Sequence, residues 1–98
     1  MRGRRRYLVC YDIRDDLRLR RVHKVMKTFG WSMQYSVFVC DLDEMELLDL
    51  RAAAGRVINH QQDSIAWIEC GDPADRGIAC FSFMGVAPKL PKTGPVVL

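Results

Sequence analysis

The stretch that leaves this chain the fewest options is Tyr7-Leu8-Val9-Cys10-Tyr11-Asp12-Ile13, followed without a break by Arg14-Asp15-Asp16-Leu17-Arg18. Six of the first seven side chains are apolar or aromatic. A run this short and this apolar reads as a strand buried on both faces. Asp15 and Asp16 are good helix N-cap and first-turn residues, so a helix starts directly after it. Near the junction sits one carboxylate, Asp12, which is costly in such surroundings unless paired, hydrogen-bonded or bound to a metal. Such a position, at the C-terminal end of a buried strand, is where α/β proteins tend to place chemistry. Capping of a turn is the competing reading.

Residues 16–29 show helical spacing. Leu19, Val22, Val25, Met26 and Phe29 form a core stripe. Arg20, Arg21, Lys24 and Lys27 lie opposite, with no acid among them to pair along the helix. Arg18 falls at the edge of the stripe in the first turn and is expected to point back toward Asp12. It would make a simple ion pair there, or orient a phosphate beside a metal-binding carboxylate. His23 reads as a packed or half-exposed histidine rather than a ligand.

Charge is unevenly spread. Residues 1–30 carry ten Lys and Arg against three acids, residues 31–98 five against nine, and the net is +3. One basic face and a polyanionic partner are expected from this, against a solvated helix face with a basic tail.

Gly30 reads as a helix C-cap. Trp31–Cys40 alternates, with Met33, Tyr35, Val37 and Val39 on one face and Gln34, Ser36, Phe38 and Cys40 on the other. The pattern fits one strand or two. Asp43 with Glu46 makes a capping-box start for a second helix over 44–58, with Leu47, Leu50, Ala54 and Val57 inward. Ser64–Cys70 reads as a strand, Gly71-Asp72-Pro73 as a turn, and Ile78–Met84 as a last core strand. Residues 1–6 read as a flexible basic arm, residues 7–84 as a single domain, and residues 85–98 as a proline-rich tail. Val96, Val97 and Leu98 would pair with a sheet edge, such as a partner's, or form a loose end.

The result is an α+β, ferredoxin-like sandwich. An antiparallel sheet carries two helices on one face, and its other, still apolar face is a candidate homodimer surface. No apolar run is long enough to span a membrane, and no secretory h-region is apparent, so the expected location is cytoplasmic. Cys10, Cys40, Cys70 and Cys80 form no C-x-x-C pair. Neither a zinc site nor a disulfide framework is expected.

Tyr11-Asp12-Ile13 with Asp16 and Arg18, then Gly30, then Gln34-Tyr35-Ser36-Val37-Phe38, resemble the second family of CRISPR-associated proteins. The acidic helix start after Leu42 and the Asp63-Ser64 pair match as well, with Asp43 where relatives often have Ser. The arginine-rich segment before Tyr7 departs from the pattern. The resemblance implies a ferredoxin-like homodimer whose C-terminal strands cross between protomers, which suits Val96–Leu98. It implies a small subunit of spacer acquisition that bridges dimers of the CRISPR integrase along captured DNA. It also implies magnesium-dependent endonuclease activity on single-stranded RNA or double-stranded DNA, with Asp12 as metal ligand. Some relatives act as scaffolds in which that carboxylate is dispensable.

Two functional readings follow. In the first, a two-fold axis brings two Asp12 side chains to one magnesium ion, and Arg18 steadies the phosphate oxygens. In the second, Arg14, Arg20, Arg21, Lys24 and Lys27 grip a nucleic-acid backbone in a non-catalytic bridge. A ferredoxin-like toxin ribonuclease is a lesser alternative.

Overall fold

The computed structural model describes residues 3–90. Its elements are β1 (Arg5–Asp12), α1 (Asp16–Phe29), β2 (Trp31–Gln34), β3 (Val37–Leu42), α2 (Glu44–Val57), β4 (Ser64–Gly71) and a single-turn helix, α3 (Arg76–Ala79). The four strands form one sheet in the order β2-β3-β1-β4, antiparallel throughout. This is the ferredoxin-like α+β arrangement, with β1 and β3 at its centre.

Both long helices begin as local chemistry dictates. The Asp15 carboxylate accepts the Arg18 N–H and caps α1. Asp43 and Glu46 exchange side-chain and backbone bonds in a complete capping box on α2. Val22 and Met26 of α1 and Leu50 of α2 meet Val9, Tyr11, Phe38, Cys40 and Leu42 of the sheet in one core. Alternation then turns Leu8, Cys10, Val37 and Val39 to the opposite face. No helix among the described residues is long and apolar enough to cross a membrane.

Three expectations are corrected. First, β1 begins at Arg5, so Arg5 and Arg6 belong to the sheet rather than to a flexible arm. Arg6 is fully buried and donates to both oxygens of Asp41, at 2.8 and 2.9 Å. Second, Ile78–Met84 is not a strand. Asp72 O accepts the N–H groups of Asp75 and Gly77, and Asp75 O those of Ile78 and Ala79. These local bonds close one helical turn instead. Ile78 and Phe83 are left half exposed and Met84 fully exposed. The fourth strand comes from Trp31–Leu42, which folds back at Tyr35-Ser36 into β2 and β3. That turn holds no Gly, Asn or Pro, and among the described residues no non-glycine has positive φ, so the usual hairpin signal is missing. Third, the turn takes Tyr35 off the face of Val37 and Val39. Its ring stacks on His23 of α1, on the helix side. Val96, Val97 and Leu98 lie outside the described residues.

Candidate nucleic-acid interface and carboxylate site

Asp12 is the last residue of β1, paired in register with Ser64. It falls on the face away from the helices, its side chain 68% exposed, and one oxygen lies 3.4 Å from Arg14 Nη2. The carboxylate is therefore open to solvent, with one loose cation beside it among the described residues.

Arg18 does not reach it. Its Nε donates to Asp63 Oδ2 at 2.8 Å, and its Nη2 to Asp63 Oδ1 at 3.2 Å and Gln62 Oε1 at 3.0 Å. The expected Arg18–Asp12 contact is thus corrected on both sides: Arg14 sits beside Asp12, and Arg18 locks α1 to the loop before β4. Asp63 also accepts the backbone N–H groups of Arg14 (2.9 Å) and Asn59 (2.8 Å). Its side chain has no solvent exposure. The Arg18 guanidinium, helped by those two N–H groups against the opposing effect of burial, holds the Asp63 carboxyl well below the usual carboxylate value of 3.8.

Nothing in the local spacing gives Asp63 a role at this junction. The sequence marks it as the residue opening a strand, but only the pairing of β4 with β1 carries it next to the β1–α1 loop. With a folded pKa below the unfolded one, Asp63 contributes stability that is present above about pH 4 and is lost as pH falls through the folded value. Asp63→Asn should therefore lower the melting temperature near neutral pH and flatten its fall on acidification. Thermal melts from about pH 6 to about pH 2 check this; parallel curves for the two proteins would refute it.

Arg14, Arg20, Arg21, Lys24 and Lys27 are all exposed. Among the described residues the four on α1 make no ion pair, and Arg14 makes only the long one to Asp12. The expected cationic face is present as a surface, running from the end of β1 along α1. Beside it, Tyr11 Oη lies 3.1 Å from His23 Nδ1 and 3.4 Å from the Tyr35 carbonyl oxygen. Burial, and then Tyr35, push the Tyr11 hydroxyl up to about 12, so it is a neutral donor at physiological pH. His23 is held between Tyr35, near parallel to it, and Phe38, set at 73° to it, as a packed histidine.

For a metal, Asp12 is open to a ligand, whereas Asp63 is buried and held by Arg18. No group of three or more His, Cys, Asp or Glu side chains gathers into a ligand set among the described residues. Magnesium tolerates this poverty: it keeps several waters and needs only one or two carboxylates. One chain therefore fits as half of a magnesium site.

The family model for CRISPR associated protein Cas2 matches residues 5–76, from the first residue of β1 to the start of α3. The chain belongs to the Cas2 family. Among curated Cas2 proteins it is 41% identical over 69 residues to the CRISPR-associated endoribonuclease Cas2 of Geobacter sulfurreducens, covering 70% of this chain and 72% of that one. It is 44% identical over 63 residues to a CRISPR-associated endonuclease Cas2 of Thermus thermophilus, covering 64% and 70%. Among solved structures, Streptococcus pyogenes Cas2 at pH 6.5 superposes with a TM-score of 0.72 at 27% identity, covering 82% of this chain and 99% of that one. A hypothetical protein of Thermus thermophilus, TT1823, superposes with a TM-score of 0.76 at 36% identity, covering 89% and 98%. The Cas2 match spans every element that positions Asp12, Arg14, Arg18 and the cations of α1.

Proposed function

We propose that this chain is a nucleic-acid-binding subunit of CRISPR spacer acquisition. It grips the phosphate backbone without reading sequence, bridges integrase dimers, and hydrolyses phosphodiesters as a homodimer with magnesium. The observation that carries the reading is the row of exposed, unpaired cations on α1 leading from Asp12. Like charges at helical spacing repel one another unless an anion intervenes, and a polyphosphate backbone is such an anion. The outward side chains of α1 are long and cationic, Arg20, Arg21, Lys24 and Lys27, so contacts should go chiefly to phosphate.

The homodimer reading is supported by the sheet face away from α1 and α2. There Leu8, Cys10 and Val37 are only half buried, and Ile68 is 48% exposed. Asp12 belongs to the same face, so two copies docked through it would bring two carboxylates toward one axis. Asp12 would hold the ion, and Arg14 would exchange that carboxylate for a substrate phosphate. Magnesium, when bound, supplies Lewis-acid polarisation and a more acidic water. Arg18, acting through Asp63, is a positioning residue for the β1–α1 loop. The alternative of a non-catalytic bridge is favoured by one observation, that no group of three or more His, Cys, Asp or Glu side chains gathers around Asp12 among the described residues.

Two variants separate these readings. Asp12→Asn should abolish magnesium-dependent cleavage of single-stranded RNA or duplex DNA and leave binding unchanged or slightly tighter, since a negative charge leaves the interface. The paired reversals Arg20→Glu and Lys24→Glu should weaken binding and reduce the slope of log affinity against log salt by about 2, at about 0.9 per phosphate contact. No magnesium-dependent cleavage by the wild type would leave the bridge alone, and cleavage that survives Asp12→Asn would remove Asp12 from the catalytic role. Binding that ignores the reversals would remove the cationic face from the mechanism.

A further inference from the structure

The geometry points to Tyr35, stacked on His23, as a platform for one unpaired nucleobase of a single strand bound along α1. This deepens the proposed function and rests on it. Tyr35 occupies the β2–β3 turn and is 74% exposed. Its ring lies within 24° of parallel to that of His23, with centroids 6.5 Å apart. His23 in turn meets the buried Phe38 edge-on at 5.3 Å. The three rings form a column from the core to solvent, with Tyr35 outermost.

The column is held in place before any ligand arrives. Tyr11 Oη engages both His23 Nδ1 and the Tyr35 carbonyl oxygen, and Ser36 O accepts the Tyr11 N–H at 3.0 Å. Little ordering is then lost when a flat ligand stacks, which is what a preorganised aromatic site achieves. Apolar collapse does not explain the ring's position, because most of it remains in water.

The occupant follows from the neighbours. Arg20 and Lys27 stand three residues before and four after His23, so they flank it on the same side of α1, both exposed. Cations along a helix face with an aromatic ring beside them match a single strand, whose phosphates track the charge while a base stacks on the ring. Every base has a π-face, so the platform adds affinity without sequence preference. A duplex keeps its bases stacked on one another and offers none, so the platform would discriminate strandedness.

The test uses the full chain and fluorescence anisotropy with end-labelled oligonucleotides: single-stranded RNA, single-stranded DNA and a duplex. Tyr35→Ala should weaken single-strand binding by about 5- to 150-fold and leave duplex binding unchanged. Tyr35→Trp should retain single-strand binding. The carbonyl that Tyr11 uses belongs to the backbone and survives both changes, and circular dichroism would verify the fold. In a strand carrying 2-aminopurine, the wild type should quench the base and Tyr35→Ala should not. Equal losses on single strand and duplex, or no loss on either, would overturn the platform. If Arg20→Glu with Lys24→Glu still weakens binding in those cases, the backbone reading stands without it. If the wild type binds none of the three nucleic acids, both readings fall together.

Discussion

Asp41→Ala is expected to destabilise the fold by about 3–5 kcal/mol. Arg6 has no solvent exposure. Its Nε and Nη2 donate to the two oxygens of Asp41, and its Nη1 donates to Gly77 O at 3.0 Å. The guanidinium cannot release its proton, so removing Asp41 takes the carboxylate from a buried charge rather than merely deleting a bond. A domain of this kind is held by about 5–15 kcal/mol in total, and a large share of that would go. Urea or thermal unfolding measures it. The pair sits at the far end of β1 from Asp12, about 20 Å away at strand rise, so nucleic-acid affinity per folded molecule should not change. The double variant Arg6→Met with Asp41→Leu should recover most of the loss, because apolar replacement of a buried pair is often neutral. A wild-type melting point for Asp41→Ala would mean that the remaining partners of Arg6 suffice.

Gly30→Ala should be nearly as damaging, for a reason unlike the usual one. Gly30 ends α1 with its N–H donating to Met26 O at 3.0 Å. Its φ of −164° and ψ of −162° are extended backbone open to any residue. What glycine supplies is space. A Cβ would lie 2.5 Å from both Cys40 Sγ and the Val39 carbonyl oxygen, and 3.1 Å from Cys40 Cα. The thiol could rotate away, but the carbonyl and Cα belong to β3 at the sheet centre. Overpacking of this kind costs about 1–3 kcal/mol, occasionally more, and backbone on the other side places it at the upper end. Gly55→Ala is the control. Its Cβ would meet only His60 Cε1 at 3.9 Å, within α2, so it should stabilise by about 0.5–1 kcal/mol. Unfolding of the two variants side by side decides it; similar shifts for both would refute the crowding argument.

Both helices were legible from residues a turn apart. The caps at Asp15 and Asp43, the stripe of Val22 and Met26, and that of Leu50 and Ala54 stand where their spacing puts them, because capping and periodicity act within one helix. The outward cations of α1 were legible for the same reason. Residues 78–84 misled because their apolar run satisfies the composition of a strand, while Asp72 and Asp75 had already committed the backbone to a helical turn. Tyr35 misled because strict alternation runs through a turn that carries no turn residue. Spacing points Arg18 to Asp12, near in sequence, whereas the acid it meets is Asp63, forty-five residues away.

Local spacing along the chain was thus sufficient for which segments coil, which extend, which helix face is cationic, and that one acid ends the first strand. Which strands lie side by side, and hence that Asp63 rather than Asp12 receives Arg18, that Arg6 is entombed with Asp41, and that Tyr35 caps a column of rings, was decided by packing. The cause is physical. A helix satisfies its backbone within its own turns, whereas a strand's hydrogen bonds, and every side chain set beside them, depend on partners that chain distance does not reveal.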